Sequence, residues 1–126
     1  MIEAMFNQPV YLTVKKMLDA TAIRHEAISS NIANIETPGY KRIDIAPAFK
    51  DELIRASASK SIDQIKSLKP RLEIDQTAVP NTKDGNTVQL EKELIELNQN
   101  SVAHAVETQL ITASLLKLRL AITGKL

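Results

Sequence analysis

The sequence predicts a mainly α protein: long N- and C-terminal helices forming a coiled-coil-like pair, with an irregular, partly mobile middle segment. Three observations carry this expectation. Apolar residues recur at alternating steps of three and four over both ends of the chain. Hydrophobic residues are 44% of the 126 residues but aromatics only 3%, so burial falls to Ala, Leu, Ile and Val, a composition that suits helix packing better than a sandwich or barrel. Only three glycines, Gly39, Gly85 and Gly124, interrupt the pattern.

The first block spans 1–40. Pro9 can open a helix at its first position, where a missing N–H costs nothing, with Asn7 or Gln8 as the cap before it. The pattern then runs to Asn34, about 39 Å of helix. Its seam reads Tyr11, Val14, Leu18, Thr21, His25, Ile28, Ile32 and Ile35, apolar at the ends and polar in the middle. Thr37 precedes Pro38 and is pushed towards an extended backbone, and Pro38-Gly39 fits the centre of a type II turn.

The second block, 41–85, carries Pro47, Pro70 and Pro80 and only short patterns. Phe49, Leu53 and Ile54 fit one side of a short helix begun at Pro47; Ile62, Ile65 and Leu68 recur at helical steps; Leu72 and Ile74 alternate like a strand edge. None is strong enough to nucleate alone, so this block is expected to be completed by contacts elsewhere.

The third block is 86–126. Asp84-Gly85-Asn86-Thr87 reads as a turn and cap, with Gln89 as a capping-box partner. A helix is expected over 87–123, about 55 Å long, stopped by Gly124. Glu91, Glu93 and Glu96 near its start and Lys117, Arg119 and Lys125 near its end suit the macrodipole. Heptad counting gives the seam Leu90, Leu94, Leu97, Ser101, His104, Thr108, Ile111, Leu115, Leu118 and Ile122. A second stripe, Ile95, Val102, Val106, Leu110, Ala113, Leu116 and Leu120, runs beside it.

A compact chain of this length is roughly 35 Å across, so the last helix must protrude. Two apolar stripes on a protruding helix exceed what a soluble monomer exposes. The terminal helices are therefore expected to pair with one another and also to pack into neighbouring subunits.

Composition excludes several function classes. Lys plus Arg number 16 and Asp plus Glu 15, so the net charge of +1 gives nucleic acid or anionic lipid little long-range pull. With no Cys, thiol nucleophiles, disulfides and Cys-ligated metals are ruled out. No stretch approaches the roughly 18 apolar residues of a membrane helix, and residues 1–8 lack the order of a secretory leader; neither a span nor a cleavable leader is expected.

No residue set is prepared for catalysis. His25 and His104 fall mid-seam beside hydroxyls, which suits a metal pair or pH switch, a register-setting polar layer, or plain solvated positions. No nearby carboxylate on the same stripe completes a metal shell. Ser101 and His104 lack oxyanion donors. Lys66, Lys69 and Arg71 are flanked by Asp63, Glu73 and Asp75 and carry no interleaved aromatic for base stacking. Asp84-Gly85-Asn86 lacks calcium-loop spacing. No cofactor, metal or small-molecule substrate is expected.

The specific signal is Ser29-Ser30-Asn31-Ile32-Ala33-Asn34-Ile35-Glu36-Thr37-Pro38-Gly39-Tyr40-Lys41. Physically it ends a long helix with two Asn side chains able to bond freed backbone groups, reverses at Pro-Gly, and adds an aromatic that can clamp the turn. This string resembles the N-terminal signature of bacterial flagellar axial proteins, the rod, hook and hook-associated family. Within it the chain is most similar to the proximal rod proteins. The resemblance rests on Lys41-Arg42-Ile43-Asp44-Ile45 after the signature, and on Asp84-Gly85-Asn86-Thr87-Val88 with Leu90, Glu93 and Asn100 leading into a helix that ends Ala121-Ile122-Thr123-Gly124. His104, where Tyr is commoner, and Ala46-Pro47-Ala48 before Phe49 depart from it.

The resemblance implies a non-enzymatic subunit, exported through the flagellar type III apparatus without a cleavable signal and assembled helically into the periplasmic rod, the torque-transmitting drive shaft of motility. Implied partners are other rod proteins, among them rod protein C and the MS-ring/rod junction protein FliE, further copies of the chain, and transiently the export gate. The assembly signature is then Ser30, Asn31, Ile32, Ala33, Asn34, Thr37, Pro38, Gly39 and Tyr40. The helical seam of the assembly is Leu18, Ile28, Leu94, Leu97, Ile111, Leu115, Leu118 and Ile122. Phe49 to Leu53 fits a Phe-x3-aliphatic export element, as does Phe6 to Val10, but patterns this short arise by chance and the apolar face of a short helix is the preferred reading of Phe49. The rival expectation is a self-contained helical adaptor or export chaperone.

Overall fold

The computed structural model describes Ala4 and residues 6–125; the segment 1–8 read for a leader lies partly outside them. Helix α1, Pro9–Ala33, opens with proline in its first turn and Gln8 as an extended N-cap, whose carbonyl accepts from Leu12 N–H at 3.0 Å. Gln8 makes no side-chain cap bond; Pro9 removes one of the orphan N–H groups of the first turn and its ring presets the helical φ.

Helix α4, Leu90–Thr123, is 34 residues, about 51 Å. Gly124 stops it with φ +67°, its N–H returning to the Leu120 carbonyl at 2.8 Å. It begins three residues later than the spacing predicts. Asn86, Thr87 and Val88 are buried, and their polar groups serve the other end of the fold, as described below.

The two long helices pack antiparallel. Asn31 meets Glu93, Arg24 meets Glu96, and Thr21 meets both Asn100 and Glu107. On α4 the line facing α1 therefore runs Glu93, Leu97, Asn100, Ala103, Glu107, Ile111, Ser114, Leu118 at steps of three and four. Heptad counting places it differently. Leu97, Ile111 and Leu118 are half-buried as expected of a seam, whereas Leu94, Leu115 and Ile122 lie exposed, with 60% of Ile122 in solvent. Polar Glu93, Asn100 and Glu107 take the inner positions and find partners there, which displaces the heptad seam, whereas Ile122 continues the inner line one step beyond Leu118 and is left uncovered. On α1, Ile28 is fully buried and Leu18 half-buried.

The middle block folds onto α1 as a few short elements. Strand β1, Ile43–Ile45, pairs antiparallel with β2, Leu72–Ile74, in the register Ile43 opposite Ile74 and Ile45 opposite Leu72. Between them lie α2, Pro47–Ala58, and α3, Ile62–Ser67. Pro47, the 62/65/68 spacing and the 72/74 alternation all mark these elements in the sequence. Phe49, Leu53 and Ala56 on one face of α2 close on Ile65 of α3 and Leu12 of α1 to form the main apolar core. The α2 helix ends in a Schellman motif, with Ser61 N–H on the Ala56 carbonyl and Lys60 N–H on that of Ser57; Lys60 takes the left-handed position at φ +55°.

The chain exposes 8430 Å². A compact monomer of 13.9 kDa exposes about 6,700 Å². The excess, about 1,700 Å² on this one chain, is about twice the roughly 800 Å² that one partner contributes to a standard protein interface.

Candidate functional site

A helix end leaves its last carbonyls without partners, and the residues after α1 are spent on satisfying them. Asn34 turns its side-chain amide back to the Ser30 carbonyl at 2.8 Å, and Thr37 N–H reaches the Asn34 carbonyl at 3.0 Å. Across Pro38-Gly39, Tyr40 N–H closes on the Thr37 carbonyl at 3.2 Å, with Gly39 at φ +72°. Glycine adopts this conformation without steric cost. The Tyr40 hydroxyl lies 3.1 Å from Ser30 Oγ and donates to Asn31 Oδ1 at 3.3 Å, so the aromatic clamps the turn onto the helix that it ends.

The remaining carbonyls are satisfied from the far side of the sequence. Asn86, 1% exposed, directs its amide Nδ2 at the carbonyls of Asn34, Ile35 and Thr37 at 2.9, 3.0 and 2.8 Å, while its Oδ1 accepts from Val88 N–H at 2.8 Å. The residue that reads as the cap of α4 is thus the cap of α1. Thr87 completes the junction: its N–H donates to the Tyr40 carbonyl at 3.1 Å and its Oγ1 accepts from Arg42 N–H at 2.8 Å. Lys41 Nζ donates to the Gly85 carbonyl at 3.0 Å.

Asn31, fully buried, pairs with β1 as a backbone would: its amide donates to the Ile43 carbonyl at 2.8 Å and its Oδ1 accepts from Ile43 N–H at 3.0 Å. Ser30, Asn31, Asn34, Thr37, Gly39 and Tyr40 therefore form one connected unit. Ile32 is half-buried beside it, and Ala33 and Pro38 face solvent.

Below this junction lies a charged brace that the sequence reading did not assemble. Arg42, its side chain 12% exposed, donates to fully buried Glu93 at 2.5 Å, to Asp75 at 2.7 Å and to Asp44 at 3.2 Å. Arg24 on α1 holds Asp44 at 2.9 Å and also pairs with Glu96. Burial disfavours the Arg42 charge, but the Glu93 hydrogen bond and carboxylate outweigh it and raise the guanidinium above its ordinary range. For Asp44, burial pushes upward and the Arg24 hydrogen bond and charge win, so the carboxyl sits below the usual carboxylate range. Removing one partner from such a buried set costs about 3–5 kcal/mol. A signal was present: alternation along the extended backbone that leads into β1 puts Arg42 and Asp44, two residues apart, on one face.

A second polar layer joins the helices midway. Asn100 Nδ2 donates to the Thr21 carbonyl at 2.9 Å, and Thr21 Oγ1 lies 2.9 Å from both Glu107 Oε2 and the Leu18 carbonyl. One hydroxyl proton serves only one of these acceptors. Burial pushes the Glu107 carboxyl above its usual range, against the opposing pull of the Thr21 hydrogen bond and the charge of His104. The layer contains Thr21 of the expected polar middle, but His25 and His104 are exposed. Among the described residues no group of His and carboxylates is placed to hold a metal. Phe49 and Leu53 are buried on the core face of α2, and Phe6 packs edge-to-face on Tyr11 with ring centres 5.6 Å apart.

What this arrangement does is mechanical: it locks the end of α1, the ribbon and the start of α4 into one unit and leaves the outer face of α4 uncovered. Comparison with known proteins agrees. The profile of the family "Flagella basal body rod protein" matches residues 18–41. The chain is 33% identical over 115 residues to the flagellar basal body rod protein FlgB of Buchnera aphidicola, covering 79% of this chain and 85% of that protein. It is 32% identical over 111 residues to that of Borreliella burgdorferi, covering 74% and 80%. To that of Aquifex aeolicus it is 28% identical over 113 residues, covering 88% and 90%. The chain belongs to the FlgB family of flagellar basal body rod proteins.

Proposed function

We propose that this chain, a structural subunit of the flagellar basal body rod and not an enzyme, uses its antiparallel α1–α4 pair as the load-bearing wall of the rod. The observation that carries this reading is the outer stripe of α4. Ile95, Val102, Val106, Leu110, Leu116 and Leu120 are between 43% and 64% exposed, and they run in line along the helix. Burying the remaining half of each such side chain contributes about 1 kcal/mol. A lone copy leaves that contribution unused, which disfavours the self-contained adaptor or chaperone. Exposed Leu94, Leu115 and Ile122 add further uncovered apolar area outside that stripe.

In this reading neighbouring subunits cover the stripe. They are further copies of the chain, rod protein C and the junction protein FliE. The signature unit from Ser30 to Tyr40 fixes the angle at which α1 leaves the wall, and the middle block supplies lateral contacts. The subunit works in the periplasmic rod, reached by type III export. Any contact of Phe49 and Leu53 with the export gate belongs to the unfolded chain, because both are core residues once it folds. The organisation into 1–40, 41–85 and 86–126 then separates wall, lateral contact and wall.

Gly39→Val tests the role of the signature. A Cβ at Gly39 comes no nearer than 3.9 Å to the Asp84 carbonyl, so the cost is conformational, about 1–2 kcal/mol or more for a β-branched residue at positive φ. The expected result is a chain still expressed but rods not completed and swimming lost, as for Ile32→Asp; normal swimming in a chromosomal Gly39→Val strain contradicts the reading.

A further inference from the structure

Between α1, α2 and α4 an open groove of about 660 Å³ is walled mainly by apolar side chains, among them Met17, Ala20, Phe49, Leu53 and Ala103. Two charges that point into it, Arg24 and Asp44, already neutralise one another, and Lys50 and Asp51 lie exposed at the rim. That leaves Glu107. Its residue is 5% exposed, its described partner is the Thr21 hydroxyl, and among the described residues no cation lies within salt-bridge distance of it. A carboxyl set in an apolar groove, with no ion-pair partner among the described residues and only a longer-range attraction from the exposed His104 on its own helix, is costly as it stands and favours a cation carried on an apolar surface.

The same chain carries such a surface. Near the end of α4, Lys117 sits among Ala113, Leu116, Leu120 and Ala121, all exposed, so that one cation is framed by apolar neighbours one turn to each side. Lys117 cannot reach Glu107 of its own chain, because ten residues of one helix separate them by about 15 Å along the axis. The groove and the helix end are different patches, so joining them is a heterologous contact, the kind that propagates into helical assemblies rather than closing into a pair. We propose that the groove receives the C-terminal turns of α4 from a second copy of this chain, with Lys117 of the incoming helix paired to Glu107. The proposal rests on the rod-subunit reading and names the contact by which one copy holds the next.

The chain lacks cysteine, which makes the test direct. Two full-length versions are co-expressed, one with Ala103→Cys in the groove, the other with Ala113→Cys or Ala121→Cys beside Lys117, and purified basal bodies are treated with a short thiol cross-linker. The expected result is a cross-linked pair with one of the two helix-end positions, parallel docking choosing 113 and antiparallel docking 121. Lys117→Glu in the helix-end version lowers the yield by at least about tenfold, while Lys117→Arg keeps it. Lys117 is exposed, so neither change threatens folding. Basal bodies that contain the chain but give no cross-link, or a yield unmoved by Lys117→Glu, overturn the groove contact and leave the rod reading standing. Basal bodies that lack the chain overturn both.

Discussion

Replacing Asn86 with alanine probes the junction most sharply, because one small side chain there joins the end of α1 to the approach to α4. The substitution removes the donor shared by the carbonyls of Asn34, Ile35 and Thr37 and leaves the buried Val88 N–H without its 2.8 Å acceptor. An orphaned buried donor costs about 1–3 kcal/mol, and the two N–H groups of the amide make at most two full hydrogen bonds at about 1 kcal/mol each, so the loss expected from Asn86→Ala is about 3–5 kcal/mol. Asn86→Asp keeps the acceptor for Val88 but turns an oxygen towards the three carbonyls, and it is expected to cost more than alanine. Urea unfolding followed by circular dichroism at matched protein concentration measures both. A loss below about 1 kcal/mol for alanine, or aspartate behaving like the parent, refutes the claim that this residue caps α1.

Lys60 at φ +55° occupies a position that favours glycine, so Lys60→Gly is expected to stabilise the chain by about 0.5–1 kcal/mol in the same assay, and destabilisation argues against the Schellman ending of α2. Burial raises the Glu107 carboxyl, so the folded chain holds that proton more tightly than the unfolded chain does. The stability this provides is complete below the unfolded carboxylate range and is lost as pH rises through the folded value. Glu107→Gln is therefore expected to gain on the parent as pH rises above that value, and an isolated chain whose stability between pH 4 and 8 is unaltered by the change contradicts the assignment.

Much of this fold is legible in the sequence because its signals are local. Pro9, Pro38-Gly39, Pro47 and Gly124 act through their own backbones, and each bounds the element that it marks. Where reading along the chain falls short, a distant partner decides the outcome. Asn86 and Thr87 have the chemistry of a helix cap, and local reasoning assigns them to the nearest helix; the fold uses them on α1 and β1 instead. The register of α4 is displaced for a related reason. Hydropathy gives Glu93, Asn100 and Glu107 no claim on an inner position, and only Arg42, Thr21 and Asn31, far away in sequence, make those positions affordable. The strand β1 needs β2 and the Asn31 side chain to exist, so its three residues carry no sign of it beyond alternation. Of the site, the signature string is visible at once, whereas the Arg24–Asp44–Arg42–Glu93 brace emerges only when four separate segments meet.

The claim on which the account turns is that the outer face of α4 is bare in one copy and covered in the rod. Thiol labelling of a Val106→Cys chain measures this directly, since position 106 lies mid-stripe and is 54% exposed. The account predicts rapid labelling of the isolated chain and strong protection of the same cysteine in purified basal bodies. Equal labelling in both states contradicts it.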